Sequence, residues 1–427
     1  MNVGYGSAAI TVPLGTPLGG YLDRPGPSTG LLDPLQVAAV SWHDGQRRFA
    51  LAVADIICVN DDLAAQVRAA VPEAGELWLA ATHTHAGPET GCVPGGGPTP
   101  RPWRDLIAET TRAAVLRAIA AERPASGTMN RGELRAVGGI RSEPHAAGPH
   151  RGMPPAEPSV PIDLLVLRDH RDRLTGVLLV LPVHPTVLPA ANRLVSADLP
   201  GAVREALRVR LGHGVWVVVA TGAAGDISTR HTRRGQSPAE LARLAEIVAD
   251  RCLELLEGQN AWSPGDRITW SARRHALPRK PADADSRHLV DRMRAAYEVA
   301  RASGDPVAIR LAQSRLDGAR VSAVPPGPAQ GGPAAVARAT RTGPLQADVG
   351  VVRLGALPLA ALPGEPFLGV RDLIGEAVVF GYVNGYPGYL PMAGAYDRAE
   401  YELLAAQVAR GSAEVLAGAV RELLEET

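Results

Sequence analysis

The sequence predicts an α/β fold: a single domain with a mixed, largely buried sheet flanked by helices. Three observations carry that prediction. Apolar β-branched runs alternate with segments of helical spacing. Two of these alternations read strand–helix–strand, which implies parallel strands. Polar residues cluster where apolar runs enter Gly/Pro turns, and the carboxyl ends of such strands are where α/β folds place their sites.

The elements follow in order. Residues 47–59, RRFALAVADIICV, predict a buried strand. Residues 61–71 open on two aspartates and predict a helix, and 76–85, ELWLAATHTH, a second strand. The pattern returns as a strand over 175–185, a helix over 197–212 and a strand over 214–222. A long helix is predicted over 238–258, and a helical hairpin broken at Gly304 and Pro306 over 288–316, within an excursion at about 285–345. Late strands at 356–365 and 376–386 flank a short helix. A C-terminal helix runs from about 398 to 426, with a break near Gly411 and Ser412. The Pro/Gly-rich stretches 142–161 and 324–344 read as long loops that shape a pocket. No internal repeat is visible.

Composition excludes several classes. Of the 427 residues, 46% are hydrophobic, ample for a core. The formal net charge is zero, so nothing points to nucleic acid or an anionic membrane. Three scattered cysteines (Cys58, Cys92, Cys252) form neither a disulfide framework nor a CxxC site. The N-terminus has no basic and apolar leader pattern, and no run is apolar for the ~20 residues of a membrane helix. A cytoplasmic protein without stable membrane insertion is the expectation, with homo-oligomerisation left open.

The chemistry-bearing residues are few. His83 and His85 form an HxH pair; two apart on a strand, they would share a face. Imidazoles so placed suit zinc, although polar loop histidines are as common. His184 leaves an apolar strand, where a lone His is more often satisfied by backbone. Glu365 precedes a helix and could simply favour its N-terminus. Tyr389 and Tyr401 read equally as half-buried core tyrosines. Ser228 is either a nucleophile or a cap; no GxSxG elbow supports the former.

Taken together, these motifs resemble the neutral, non-lysosomal ceramidases, over their N-terminal catalytic domain. ATHTHAGPE is the most specific piece. GYGSAAITVPLGTPLGGYLDR, IRS (140–142), HPTVLPAANRLVSADLPG, GDIS, LPGE and NGYPGYLPMAGAYDRAEYE also resemble family segments. The resemblance implies one zinc ion per chain, held by His83, His184, Glu365 and Tyr389. It places His85, Arg141 and Tyr401 around the substrate carbonyl, with Ser228 as nucleophile or substrate contact. It departs from the family at Thr229 and Arg230, where the family has Pro-Asn. The family's C-terminal immunoglobulin-like domain is not expected, which turns the reading from ceramide toward a small-molecule amide.

The expected activity is zinc-dependent cleavage of an amide-type C–N bond, in an N-acyl amide or a lactam, by activated water. The alternatives are a zinc esterase or lactonase, an acyl-transferring cyclase on the same site, a metal-independent serine hydrolase using Ser228, or a non-catalytic binding protein.

Overall fold

Eight strands form the larger sheet: β1 (Asn2–Ile10), β2 (Leu35–His43), β3 (Arg48–Ala54), β4 (Glu76–Ala81), β5 (Arg123–Arg135), β6 (Ser159–Asp169), β7 (Leu174–Leu181) and β8 (Trp216–Thr221). Their spatial order is β8-β7-β6-β5-β1-β2-β3-β4. Four more, β9 (Ile268–Leu277), β10 (Leu345–Leu354), β11 (Leu357–Ala361) and β12 (Val378–Phe380), make a second sheet in sequential order. The helices are α1 (Asp61–Ala70), α2 (Arg101–Ala120), α3 (Asp198–Leu211), α4 (Pro238–Leu256), α5 (Ser286–Ser303), α6 (Pro306–Ala323), α7 (Leu368–Ile374), α8 (Tyr401–Ala405) and α9 (Ser412–Glu426). The computed structural model describes residues 1–93, 95–141, 158–257, 267–281, 286–323 and 343–427. Most of the two predicted loops, 142–157 and 324–342, lies outside the described residues.

The two sheets pack face to face, with helices on both outer faces. The period-2 alternation of strand side chains decides which layer each residue joins. On β2, Val37 and Ala39 face α1 and α2, while Ala38, Val40 and Trp42 face the second sheet. On β7, Val177, Leu179 and Leu181 pack on α3 and α4, while Leu178 and Val180 join the inter-sheet core. On the second sheet Val349 and Val351 meet α7 and α9. Both faces of each sheet are thus covered, which explains the unbroken apolar runs of the sequence.

One topology occurs three times. In β1–β4, β5–β8 and β9–β12 the first pair is antiparallel, the second antiparallel and the third parallel. A helix links the third and fourth strands each time, and another follows the fourth: α1 and α2, α3 and α4, α7 and α9 (α9 after the short α8). Strand direction then dictates geometry. The connections after the first, third and fourth strands all leave one edge of the unit. The second-to-third connections are tight hairpins at the opposite edge. The repeat is one of topology and not of sequence, so no residue period announces it.

The units meet at that loaded edge. β1 and β5 pair only through Asn2 with Pro124 and Val3 with Arg123. The outermost strands β4 and β8 approach each other instead: Thr221 Oγ1 donates to the Thr82 carbonyl (2.9 Å). The chain after β12 ties to both, Gly381 N to Thr221 O (3.0 Å) and Ala81 N to Tyr382 O (3.1 Å). Three carboxyl ends therefore converge on one spot.

Several elements end earlier than predicted. The strands stop at Ala54, Ala81, Leu181, Ala361 and Phe380, and the apolar residues beyond them are buried loop. The C-terminal helix is two helices, α8 and α9. The hairpin at 288–316 is α5–α6, longer at both ends, with α6 packed on α8. Among the described residues no helix is long and apolar enough to cross a membrane.

Candidate metal centre

Each predicted ligand sits on a connection that leaves a third or fourth strand. His83 follows β4, but not as an extension of it. Its φ is +64°, in the left-handed region, so strand periodicity is not what joins it to His85. Backbone bonds Thr82 N to Ala54 O (2.9 Å) and His83 N to Ile56 O (3.0 Å) hold this bend. His184 follows β7 and is fixed by its N–H to Ile227 O (3.0 Å). Glu365 follows β11, and Tyr389 follows β12. These two are direct partners in a short parallel pairing, Glu365 with Tyr389. Gly364 makes that pairing fit: its φ is +63°, and a Cβ there would lie 2.3 Å from the Gly388 carbonyl oxygen.

The nitrogens and oxygens converge. His83 Nδ1 donates to the Ile57 carbonyl (2.5 Å), which turns Nε2 toward the other two histidines. That Nε2 lies 3.3 Å from Glu365 Oε2 and 3.4 Å from His85 Nε2. His85 Nε2 is 3.1 Å from His184 Nε2, and His184 Nδ1 is 3.8 Å from Glu365 Oε2. Glu365 Oε1 accepts from Tyr386 Oη (2.5 Å), whereas Oε2 is buried without a hydrogen bond. Three ring nitrogens and a carboxylate oxygen thus meet in one buried spot, and a cation held among them would take up their lone pairs. His83, His85 and His184 meet the geometric requirement for holding a metal ion. Neutral imidazole and carboxylate suit a borderline ion such as zinc.

Electrostatics agree. Burial first, then His83, Arg141 and Arg24, push the His85 pKa well below its usual value. Burial, Arg141 and the other two histidines do the same at His184, so both rings are neutral and free to ligate. Burial alone would raise the Glu365 carboxyl; His83, Tyr386 and Arg141 outweigh it and leave the pKa below its ordinary value. Burial, then Glu365, holds the Tyr389 phenol well above its usual pKa, so without a cation it stays protonated.

Around this floor stand the other predicted residues. Arg141 Nη1 donates to Glu402 (2.8 Å) and lies 3.5 Å from Tyr389 Oη, while Nε and Nη2 are buried without acceptors. Tyr401 meets Tyr389 edge-on at 6.0 Å between ring centres. Ser228 Oγ accepts from Arg230 N (3.2 Å), and among the described residues no histidine bonds to it. His184 is its neighbour in an isolated parallel bridge, with the two side chains not hydrogen-bonded to each other.

Four contributors escaped sequence reasoning. Tyr386 bonds Glu365, Glu402 orients Arg141, and Gly20 lies flat against His85, where a Cβ would sit 2.4 Å from the ring. Asp198 carboxylate accepts from Val187 N (3.1 Å) and Leu188 N (3.0 Å), ordering the loop after His184. The LVSAD segment was the available signal for Asp198. Gly20, Tyr386 and Glu402 lie within the GYGSAAITVPLGTPLGGYLDR and NGYPGYLPMAGAYDRAEYE segments, but nothing local names their partners.

No protein-family model matches the chain, and no curated protein is matched. Solved structures do match. The neutral ceramidase from Pseudomonas aeruginosa aligns with a TM-score of 0.72 at 19% identity, covering 99% of this chain and 73% of that one. A ceramidase complexed with C2 aligns with a TM-score of 0.73 at 18% identity, covering 100% and 75%. At this identity the likeness establishes a shared ceramidase-like fold.

Proposed function

We propose that the protein is a zinc-dependent hydrolase of an amide-type bond, acting on a small molecule. The observation that carries this reading is the convergence of His83, His85, His184 and Glu365 in one buried cluster. The ceramidase-like fold supports it. The ligands would be His83, His184, Glu365 and Tyr389, with His85 facing the substrate.

When bound, zinc supplies Lewis acidity, which polarises a carbonyl and acidifies water. The chain's own groups supply the rest. Arg141, aligned by Glu402, offers two unengaged N–H groups to the oxygen on which charge develops. Such a donor is typically worth ~3 kcal/mol of barrier. Tyr401, kept protonated chiefly by burial, is a second donor. His85, neutral and beside the floor, is placed to move a proton to the departing amine. Ser228 keeps its own O–H for orienting substrate.

Elemental analysis of purified protein beside His184→Ala tests the reading. About one zinc per chain, lost in the variant, with chelator-sensitive turnover of N-acyl amides or lactams, is expected. No metal in the protein and none acquired on dialysis against zinc would end it. Faster turnover of matched esters would shift the reading to an esterase or lactonase.

A further inference from the structure

A cavity of about 290 Å³ opens from His85, His184 and Tyr389 toward a wall that carries Arg230, Arg233 and Arg310. Arg230 and Arg233 follow β8; Arg310 comes from α6, the insertion of the third unit. None of the three makes an ion pair among the described residues. Arg233 Nη1 donates to the Thr186 carbonyl (2.6 Å), and its Nε is buried without an acceptor. Arg310 Nε is likewise buried without an acceptor. Arg230 reaches the Arg141 carbonyl (3.4 Å) and Ser314 Oγ (3.3 Å), both neutral.

The three cations face one another. Burial first, with Arg310 and Arg230 adding to it against Tyr21, pushes the Arg233 guanidinium down to about 10. Asp317 is the acidic residue on this wall. It accepts from Gln313 (2.8 Å) and Arg320 (3.2 Å), and burial followed by Asp23 pushes its carboxyl up to about 6. Glu402 and Asp198 also act on Arg230 and Arg233 from a distance, but Glu402 is bonded to Arg141 and Asp198 to Val187 N and Leu188 N, so among the described residues no carboxylate pairs with the three guanidinium groups. All three are half-buried and line the cavity, so an anion entering it would find guanidinium groups that no carboxylate has claimed.

We propose that the site takes a substrate bearing an anionic group, a carboxylate or a phosphate, which Arg230, Arg233 and Arg310 bind while the scissile amide lies over the His83–His184–Glu365 floor. The orientation of the amide rests on the hydrolase reading above; the anion site does not.

Calorimetric titration of the intact protein with sulfonamide probes, which resist amide hydrolysis, separates the two. The probes are N-methanesulfonylglycine, its methyl ester, and the phosphate monoester of N-methanesulfonylethanolamine. At least one anion is expected to bind about tenfold or more tightly than the ester. The advantage should shrink as salt rises, fall in Arg233→Gln and Arg310→Gln, and largely survive in Arg310→Lys. The preferred anion tells carboxylate from phosphate. The matching N-acetyl substrates should follow the same order in kcat/KM, with the variants acting mainly on KM. No charge preference in binding or turnover would overturn the proposal, and the wild-type comparison decides this even if a variant fails to fold. Charge-selective binding without turnover of any amide would leave the anion site standing and remove the hydrolase reading. Turnover of amides without charge preference would do the reverse.

Discussion

The floor of the pocket and its outer wall are built by different means. His83, His184 and Glu365 are only 1–2% exposed and sit just past strand ends, on backbone pinned by hydrogen bonds. The wall is made of long side chains, and part of it comes from α6, inserted between the first and second strands of its unit. The corresponding connections of the other two units also reach the pocket, through Gly20 and Tyr21 and through Arg141. The frame thus fixes a cluster that meets the geometric requirement for a metal ion and tolerates little displacement. The insertions decide what can approach it. Rigid elements for chemistry and variable loops for selection is the general division of labour in enzymes.

That contrast can be broken at its strongest point first. Glu365→Gln should abolish metal retention and turnover together, as read by elemental analysis and any amide assay. Retained zinc in that variant would take Glu365 out of the ligand set. His85→Ala sharpens the boundary between floor and wall. It should keep its metal while kcat falls about 10²- to 10⁴-fold; loss of metal would move His85 into the ligand set. Gly364→Ala should lower stability by about 1–3 kcal/mol in denaturant melts, because the left-handed backbone and the Gly388 carbonyl leave no room for a methyl. Tyr386→Phe is the mildest test. It removes one hydrogen bond to Glu365 and should weaken metal affinity about 10- to 100-fold in a competition with a chelator dye, with the fold intact.

Much of the floor was legible because its residues lie in short local signatures: THTH, PVHPT, LPGE and the Tyr-rich block. Each follows an apolar run, and parallel strands bring such positions to one edge. Tyr386 and Glu402 belong to the Tyr-rich block, but their pairings were not legible, since the partners Glu365 and Arg141 lie 21 and 261 residues away. The strand ends were overestimated because Ile56, Ile57 and Val59 are as buried as a strand though they belong to a loop. The threefold topology was invisible for a related reason. Burial requires apolar residues at alternating positions and accepts many of them, so the units share a pattern of layers and no recognisable period of residues. The Arg230 departure from the ceramidase motif was visible, but its meaning needed Arg233 and Arg310 beside it.

The meeting of β4 and β8 under the chain after β12 also sets an order of events during folding. Asn384 Oδ1 accepts from Leu79 N (2.9 Å) across 305 residues of sequence, and Thr221 reaches Thr82 across 139. Closing loops of that length costs entropy that must be met before the contacts reward it. The first two units have the contacts to assemble their own layers, but the floor cannot exist until the last third of the chain has been made and docked. A nascent chain on the ribosome would therefore present two histidine-bearing halves with no carboxylate between them. Metal capture would belong to the end of folding, and the ion would act as the latch on a structure already built.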